Sequence, residues 1–249
     1  FYNITWDNGR LVGQKEKRRN AETLRADIHT ALHEFEADVV LLSECGEVEF
    51  GLDPSLWLPL IRRICGDGYA VEHQSHYTSI VKRATITVIE TPSLQGPLTT
   101  LAHHSYRMCH HLQVVRNDSA AKPIDLYNLH SPASKKHPLV PTVREHILHW
   151  FVRNAGPRAL IGGDLNSSKH SLHDGFKNCD DILYCYEAAH KHGDIAITKG
   201  LKDAHSVPCN VISTSIAHHM VVVMVPLDES RVTLVARAQV SDKSSGSAD

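Results

Sequence analysis

Four short stretches end an apolar run on a polar, metal-capable side chain: Tyr2-Asn3-Ile4, Leu42-Ser43-Glu44, Asn128-Leu129-His130-Ser131-Pro132 and Gly162-Gly163-Asp164-Leu165-Asn166. A fifth, Ala217-His218-His219-Met220-Val221, sets two imidazoles ahead of another apolar run. Carboxylate and amide oxygens suit a hard divalent cation, and imidazole titrates near neutrality. The set could therefore run metal-assisted or acid–base hydrolysis. Strand ends are also where open α/β architectures build their sites. Singly each stretch is weak, because an acidic residue closing a strand is commonly a helix cap or a solvated turn. The five together carry the reading.

The chain has 249 residues, 26 basic against 28 acidic, 42% hydrophobic, with 19 histidines and six cysteines. That length supplies a buried core, and the charge near zero argues against a polybasic nucleic-acid coat or membrane arm. Histidine is the outlier, yet the pairs His103-His104, His110-His111 and His218-His219, and the group His190, His192, His205 and Cys209, match no strong zinc spacing. The cysteines are sparse and form no CxxC pair, which fits reduced thiols and an intracellular setting. No apolar run near the start is long enough for a leader or a membrane span. The chain begins at Phe1 without a methionine, as a processed or excised domain would.

These residues need strands to deliver them. Residues 1–6 read as an opening strand, and 37–44 as a strand buried on both faces that ends in a carboxylate. Between them Leu24, Ile28, Ala31, Leu32 and Phe35 recur at helical spacing behind Asn20, a plausible N-cap. Residues 54–66 and 142–154 read as helices, the second stopped by Gly156-Pro157. Short strands are expected at 69–73, 78–81, 84–89, 111–115, 124–129, 159–164 and 195–198. A helix is expected over 182–192, and a hairpin joins 220–225 to 231–235. Residues 1–240 make one mixed α/β domain with helices covering packed sheets, and 241–249 a disordered polar tail.

Read in order, the motifs resemble the endonuclease/exonuclease/phosphatase superfamily, the pancreatic deoxyribonuclease-like group. An early Asn, a strand-ending Glu44, a strand-ending His130, Gly163-Asp164-Leu165-Asn166, a late Asp194 and a histidine before an apolar strand span nearly the whole chain. Asp7 or Asn8 is the alternative match to Asn3 in the first motif. The resemblance implies a four-layered α/β sandwich, two packed mixed sheets flanked by helices. It also implies hydrolysis of a phosphoester with magnesium, or manganese in its place.

Carried over by position, the resemblance makes Glu44 the main metal ligand with Asn3 beside it. Asp164 would orient or deprotonate the attacking water, Asn166 would donate to a phosphoryl oxygen, and His130 would bond the phosphate or protonate the leaving oxygen. His218 or His219 matches the last catalytic histidine, and Asp194 the aspartate that orients it. One departure stands out: members carry Ser-Asp-His at the final motif, whereas Ser215, Ile216 and Ala217 precede His218. Arg107, Arg144 and Tyr77 are candidate substrate contacts, each with a solvated loop, a helix surface or core packing as the plainer account. The expected substrate is nucleic acid or another phosphoester, and the expected state a monomer without a membrane span. The competing readings are a lipid or inositol-phosphate phosphatase of the same fold, and a catalytically silent binding domain.

Overall fold

The computed structural model describes residues 2–3, 21–43, 45, 54–74, 77–89, 109–118, 122–131, 140–165, 182–185, 194–201, 204–207, 220 and 222–225. Its strands are β1 (Tyr2–Asn3), β2 (Val39–Ser43), β3 (Tyr69–Gln74), β4 (Tyr77–Lys82), β5 (Ile86–Ile89), β6 (His110–Arg116), β7 (Ile124–His130), β8 (Ala159–Asp164), β9 (Ile182–Cys185), β10 (Asp194–Lys199), β11 (His205–Val207) and β12 (Val222–Met224). The helices are α1 (Ala21–His29), continued by a π-helical turn at Thr30–Glu34, α2 (Pro54–Cys65) and α3 (Val140–Asn154).

One sheet has the order β1-β2-β4-β3 and the other β5-β6-β7-β8-β10-β9. Both are mixed: β1 runs parallel to β2 and β7 parallel to β8, with the remaining pairs antiparallel. The turn at 83–85 hands the chain from the first sheet to the second, since β4 belongs to one and β5 to the other.

Strand alternation sorts the apolar side chains into three bodies of core. On the outer face of the first sheet, Val40, Leu42, Val71 and Ile80 meet Ile28, Ala31 and Leu32 of α1 and its π-turn, and Ile61 of α2. Between the sheets lie Leu41 and Val81 from one side and Leu112, Leu126, Leu160 and Ala196 from the other. On the outer face of the second sheet, Tyr127, Leu129, Ile161, Ile195 and Ile197 take Ile147, Leu148, Phe151 and Val152 of α3. The result is the four-layered sandwich, helix on sheet on sheet on helix. Each fully buried Leu or Ile in it stabilises the fold by about 1.5–3 kcal/mol before chain entropy is charged against it.

Helix ends follow local chemistry. Gly66 closes α2 at φ 73°, with its N–H on the Arg62 carbonyl at 2.9 Å. At the end of α3, Lys199 Nζ donates to the carbonyls of Val152 and Ala155, each at 2.9 Å, so a cation sits where the helix leaves acceptors unpaired. Because β7 and β8 are parallel, α3 must carry the chain back between them, and it starts at the end of the sandwich where β7 finishes.

One sequence expectation is corrected. Residues 182–185 are not helical: they form β9, an edge strand pairing Cys185 with Ala196 and Ile182 with Lys199. A four-residue apolar run has no period of its own, and pairing with β10 decides its conformation. Strand β12 pairs antiparallel with β11, His205 opposite Met224. The partner expected for it at 231–235 lies outside the described residues, as does the tail. Among the described residues no helix is long and apolar enough to cross a membrane.

Candidate active site

Register brings the chemistry together. In the second sheet, His130 is opposite Asp164, and Asp164 is opposite Asp194, so one rung joins the ends of β7 and β8 to the start of β10. The rung beneath holds His110, Asn128, Gly162 and Ala196. Below that come Leu112, Leu126, Leu160 and Thr198, which begin the dry inter-sheet core. In the first sheet, Asn3, Ser43, Tyr77 and Gln74 form the terminal rung. Leu41, two residues before Ser43, points into the inter-sheet core, so Ser43 does too.

Two hydrogen bonds tie these terminal rungs across the gap. The backbone N–H of His130 donates to the Tyr77 hydroxyl at 3.1 Å, and Asn128 Nδ2 donates to the Leu42 carbonyl at 3.1 Å. The strand that runs on into Glu44 is therefore held against the strands that end in His130 and Asp164.

His130 Nε2 lies 3.5 Å from Asp164 Oδ2, with the two side chains 6% and 3% exposed. That separation exceeds an ordinary hydrogen bond and is within ion-pair range. Both side chains are thus buried side by side at the terminal rung. Asp164 is delivered by Gly163 at φ 127°, where a Cβ would run into the Leu129 carbonyl oxygen. Only glycine takes that backbone and that approach together, which is why a glycine immediately precedes the aspartate.

His110, beneath the rung, is buried and stacks near Tyr77 with ring centroids 6.0 Å apart. Burial, with repulsion from His111 and His73 behind it, pushes its pKa down to about 4, so it is neutral at physiological pH. Burial likewise pushes the Cys109 thiol well up, which leaves it unreactive.

Tyr77, a candidate substrate contact, is 1% exposed in the terminal rung of the first sheet, where its hydroxyl accepts from the His130 backbone N–H. Arg144 is half-buried in α3, near the end of that helix closest to the site. The backbones of Asn3 and Asp194 occupy the two terminal rungs. Glu44, Asn166, Arg107, His218 and His219 lie outside the described residues, although Glu44 directly follows Ser43 and Asn166 follows Leu165. Sequence reasoning quoted Asn128 and Ser43 within their motifs and weighed His110 only for zinc, and gave none of the three a role at this site. The signal for Asn128 was its two-residue offset from His130, which in a strand means a shared face.

A hard divalent cation fits the donors at this end. The available atoms are oxygens: the Asp164 carboxylate, and Ser43 Oγ and Asn128 Oδ1, two buried oxygens without a hydrogen-bond partner among the described residues. Magnesium keeps several waters and needs one or two carboxylates from the protein; the side chains of the expected ligands, Glu44 and Asn3, lie outside the described residues. Among the described residues no group of three or more His, Cys, Asp and Glu side chains converges on one point.

No protein-family model and no curated protein sequence matches the chain. Solved structures do. An endonuclease/exonuclease/phosphatase from Bacteroides vulgatus superposes with a TM-score of 0.62 at 11% identity, covering 90% of this chain and 97% of that one. TDP2 of D. rerio, complexed with single strand DNA product, gives 0.55 at 12% identity over 80% of this chain and 88% of that one. An endonuclease/exonuclease/phosphatase family protein from Bacteroides thetaiotaomicron gives 0.51 at 12% identity, covering 75% and 77%. The chain has the endonuclease/exonuclease/phosphatase fold, as its motif order implies, and at these identities the likeness is one of fold.

Proposed function

We propose that this protein is a divalent-metal-dependent phosphoester hydrolase that acts as a phosphodiesterase or nuclease, with magnesium or manganese as its ion. The supporting observation is the rung His130, Asp164, Asp194 facing, across two inter-sheet hydrogen bonds, the strand end that continues into Glu44. When bound there, the ion supplies charge neutralisation at a phosphoryl oxygen.

The remaining work falls to the side chains. Asp164, buried and acceptor-only when ionised, orients the attacking water and takes its proton. His130, beside that carboxylate, donates to a phosphoryl oxygen, and Asn166 donates to another. The imidazole of His218 or His219, oriented by Asp194, supports charge on the leaving oxygen, by the logic of a carboxylate that fixes the tautomer of its histidine. In-line attack of water on phosphorus then needs no covalent enzyme intermediate. A net charge of −2 leaves the grip on a polyanion to the ion and a local rim, for which Arg107 and Arg144 are the candidates.

The neighbour solved with single strand DNA product makes single-stranded DNA the first substrate to try. A panel of single-stranded DNA, duplex DNA, RNA and phospholipid headgroups, each with magnesium, manganese or chelator, tests the reading. Hydrolysis should require the ion, and Glu44→Ala, Asp164→Ala and His218→Ala should each lower it by about two orders of magnitude or more without unfolding the protein. Wild-type rates in all three variants would refute the site. Retention of DNA without cleavage would favour a binding domain, the reading motivated by Ser215, Ile216 and Ala217 where members carry an aspartate.

A further inference from the structure

We infer that Asn128 is a positioning residue, whose side-chain amide sets the Glu44-bearing end of β2 against the His130 and Asp164 ends of β7 and β8. This rests on the proposed function for its chemical meaning and on the geometry below for its existence.

Asn128 is fully buried, 0% exposed, on the inter-sheet face of β7. Its amide orientation is fixed by chemistry, because a carbonyl only accepts and the Leu42 oxygen therefore requires the nitrogen, Nδ2, at 3.1 Å. Oδ1 is then turned toward β8, where a Cβ built on Gly163 would stand 2.9 Å from it. One planar group thus touches β2 of the first sheet, two residues ahead of Glu44, and the residue immediately before Asp164 in the second. From its own strand it lies two residues ahead of His130.

Packing alone gives no reason for an amide here. The rung below is filled by Leu112, Leu126 and Leu160, and a leucine of similar size at 128 would extend that apolar layer without burying polar atoms. The asparagine instead leaves Oδ1 without a hydrogen-bond partner among the described residues, which is unfavourable in a dry interior. A buried polar group that is not optimal for stability but fixes the spacing of two strand ends is of the kind that orients metal-binding side chains from behind.

The test uses the full chain and three proteins: wild type, Asn128→Leu and Asn128→Asp. The magnesium concentration giving half-maximal thermal stabilisation is measured without substrate, and the same titration is read by hydrolysis of single-stranded DNA. Asn128→Leu should raise the magnesium requirement in both by about ten- to a hundredfold, with kcat falling and substrate KM nearly unchanged. Asn128→Asp should resemble Asn128→Leu at pH 8 and approach wild type as pH falls, because a protonated carboxyl regains a donor for the Leu42 carbonyl. Hydrogen exchange of the metal-free proteins should quicken in Asn128→Leu at 42–45 and 163–165, with the rest of both sheets unchanged.

A variant that melts lower yet needs the same magnesium, or one whose exchange rises evenly over both sheets, would reduce Asn128 to packing and overturn the inference. A wild type that neither hydrolyses any phosphoester nor responds to magnesium would instead refute the proposed function. The exchange pattern would then decide by itself whether Asn128 sets the strand ends, and unchanged exchange at 42–45 would overturn that too. If Asn128→Leu does not fold, Asn128→Asp compared between pH 5 and pH 8 still decides.

Discussion

Replacing Gly163 with alanine should be among the most damaging single-methyl changes available in this protein. Two effects act together at that position. The backbone at φ 127° is one that residues with a Cβ rarely adopt, and the new methyl would point into the Leu129 carbonyl oxygen with Asn128 Oδ1 2.9 Å away. The backbone term is about 1–3 kcal/mol and the overpacking term about 1–3 kcal/mol, together roughly 2–6 kcal/mol. A whole domain holds only about 5–15 kcal/mol. At about 2–4 °C per kcal/mol for a chain of this size, the melting temperature should fall by roughly 5–20 °C. Gly66→Ala is the control: φ is 73° there and no atom lies within 4 Å of the added Cβ, so it bears the backbone term alone. Scanning calorimetry of both variants without metal makes the comparison. If Gly163→Ala melts no lower than Gly66→Ala, the close approach of β7 to β8 at this point is wrong, and with it the account of how Asp164 is delivered.

Two pH effects of opposite sign should accompany this. His110, held down to about 4 from an ordinary 6.5, binds its proton more weakly folded than unfolded. Its neutral burial therefore leaves stability intact above pH 6.5 and erodes it as pH falls toward 4, by roughly 3 kcal/mol in all. Urea melts of His110→Asn should show a flatter loss across that window than wild type, and an unchanged slope would remove His110 from the interior. Asp27, pushed by burial from 3.8 up to about 6, works the other way: its contribution is present below pH 3.8 and lost as pH rises through 6. Asp27→Asn should therefore melt higher than wild type at pH 8 and close to it at pH 4, and a gain of equal size at both would exclude a buried carboxylate as the cause.

The strands that end in Ser43 and Asp164 were legible because each is a continuous run of apolar and small residues closed abruptly by a polar one, and the strand that ends in His130 because Ile124, Leu126, Tyr127 and Leu129 crowd a short stretch. The pairing partners were not legible. Nothing in His205-Ser206-Val207 marks a strand, and its pairing joins it to β12, a segment well removed along the chain, in a two-stranded sheet of its own. Ile182 to Cys185 has the same ambiguity, since four apolar residues fit one helical turn as well as one edge strand. Within the site, the residue types named their chemistry but not their depth. Tyr77 was a candidate substrate contact with core packing as its plainer account. Its burial follows from its register opposite Ser43 in the terminal rung of the first sheet, which the sequence does not encode locally.

The rung of His130, Asp164 and Asp194 also works as a ruler. Adjacent hydrogen-bonded strands stand about 4.8 Å apart, so the backbones of the two outer residues are set roughly 10 Å from each other whatever the loops do. Substitutions, insertions and changes of length in the connecting segments can redraw the walls around this end of the sandwich without stretching that interval. Under the proposed function that interval is the fixed part of the site, and a search for altered specificity belongs in the sequence segments that follow β2, β7 and β8.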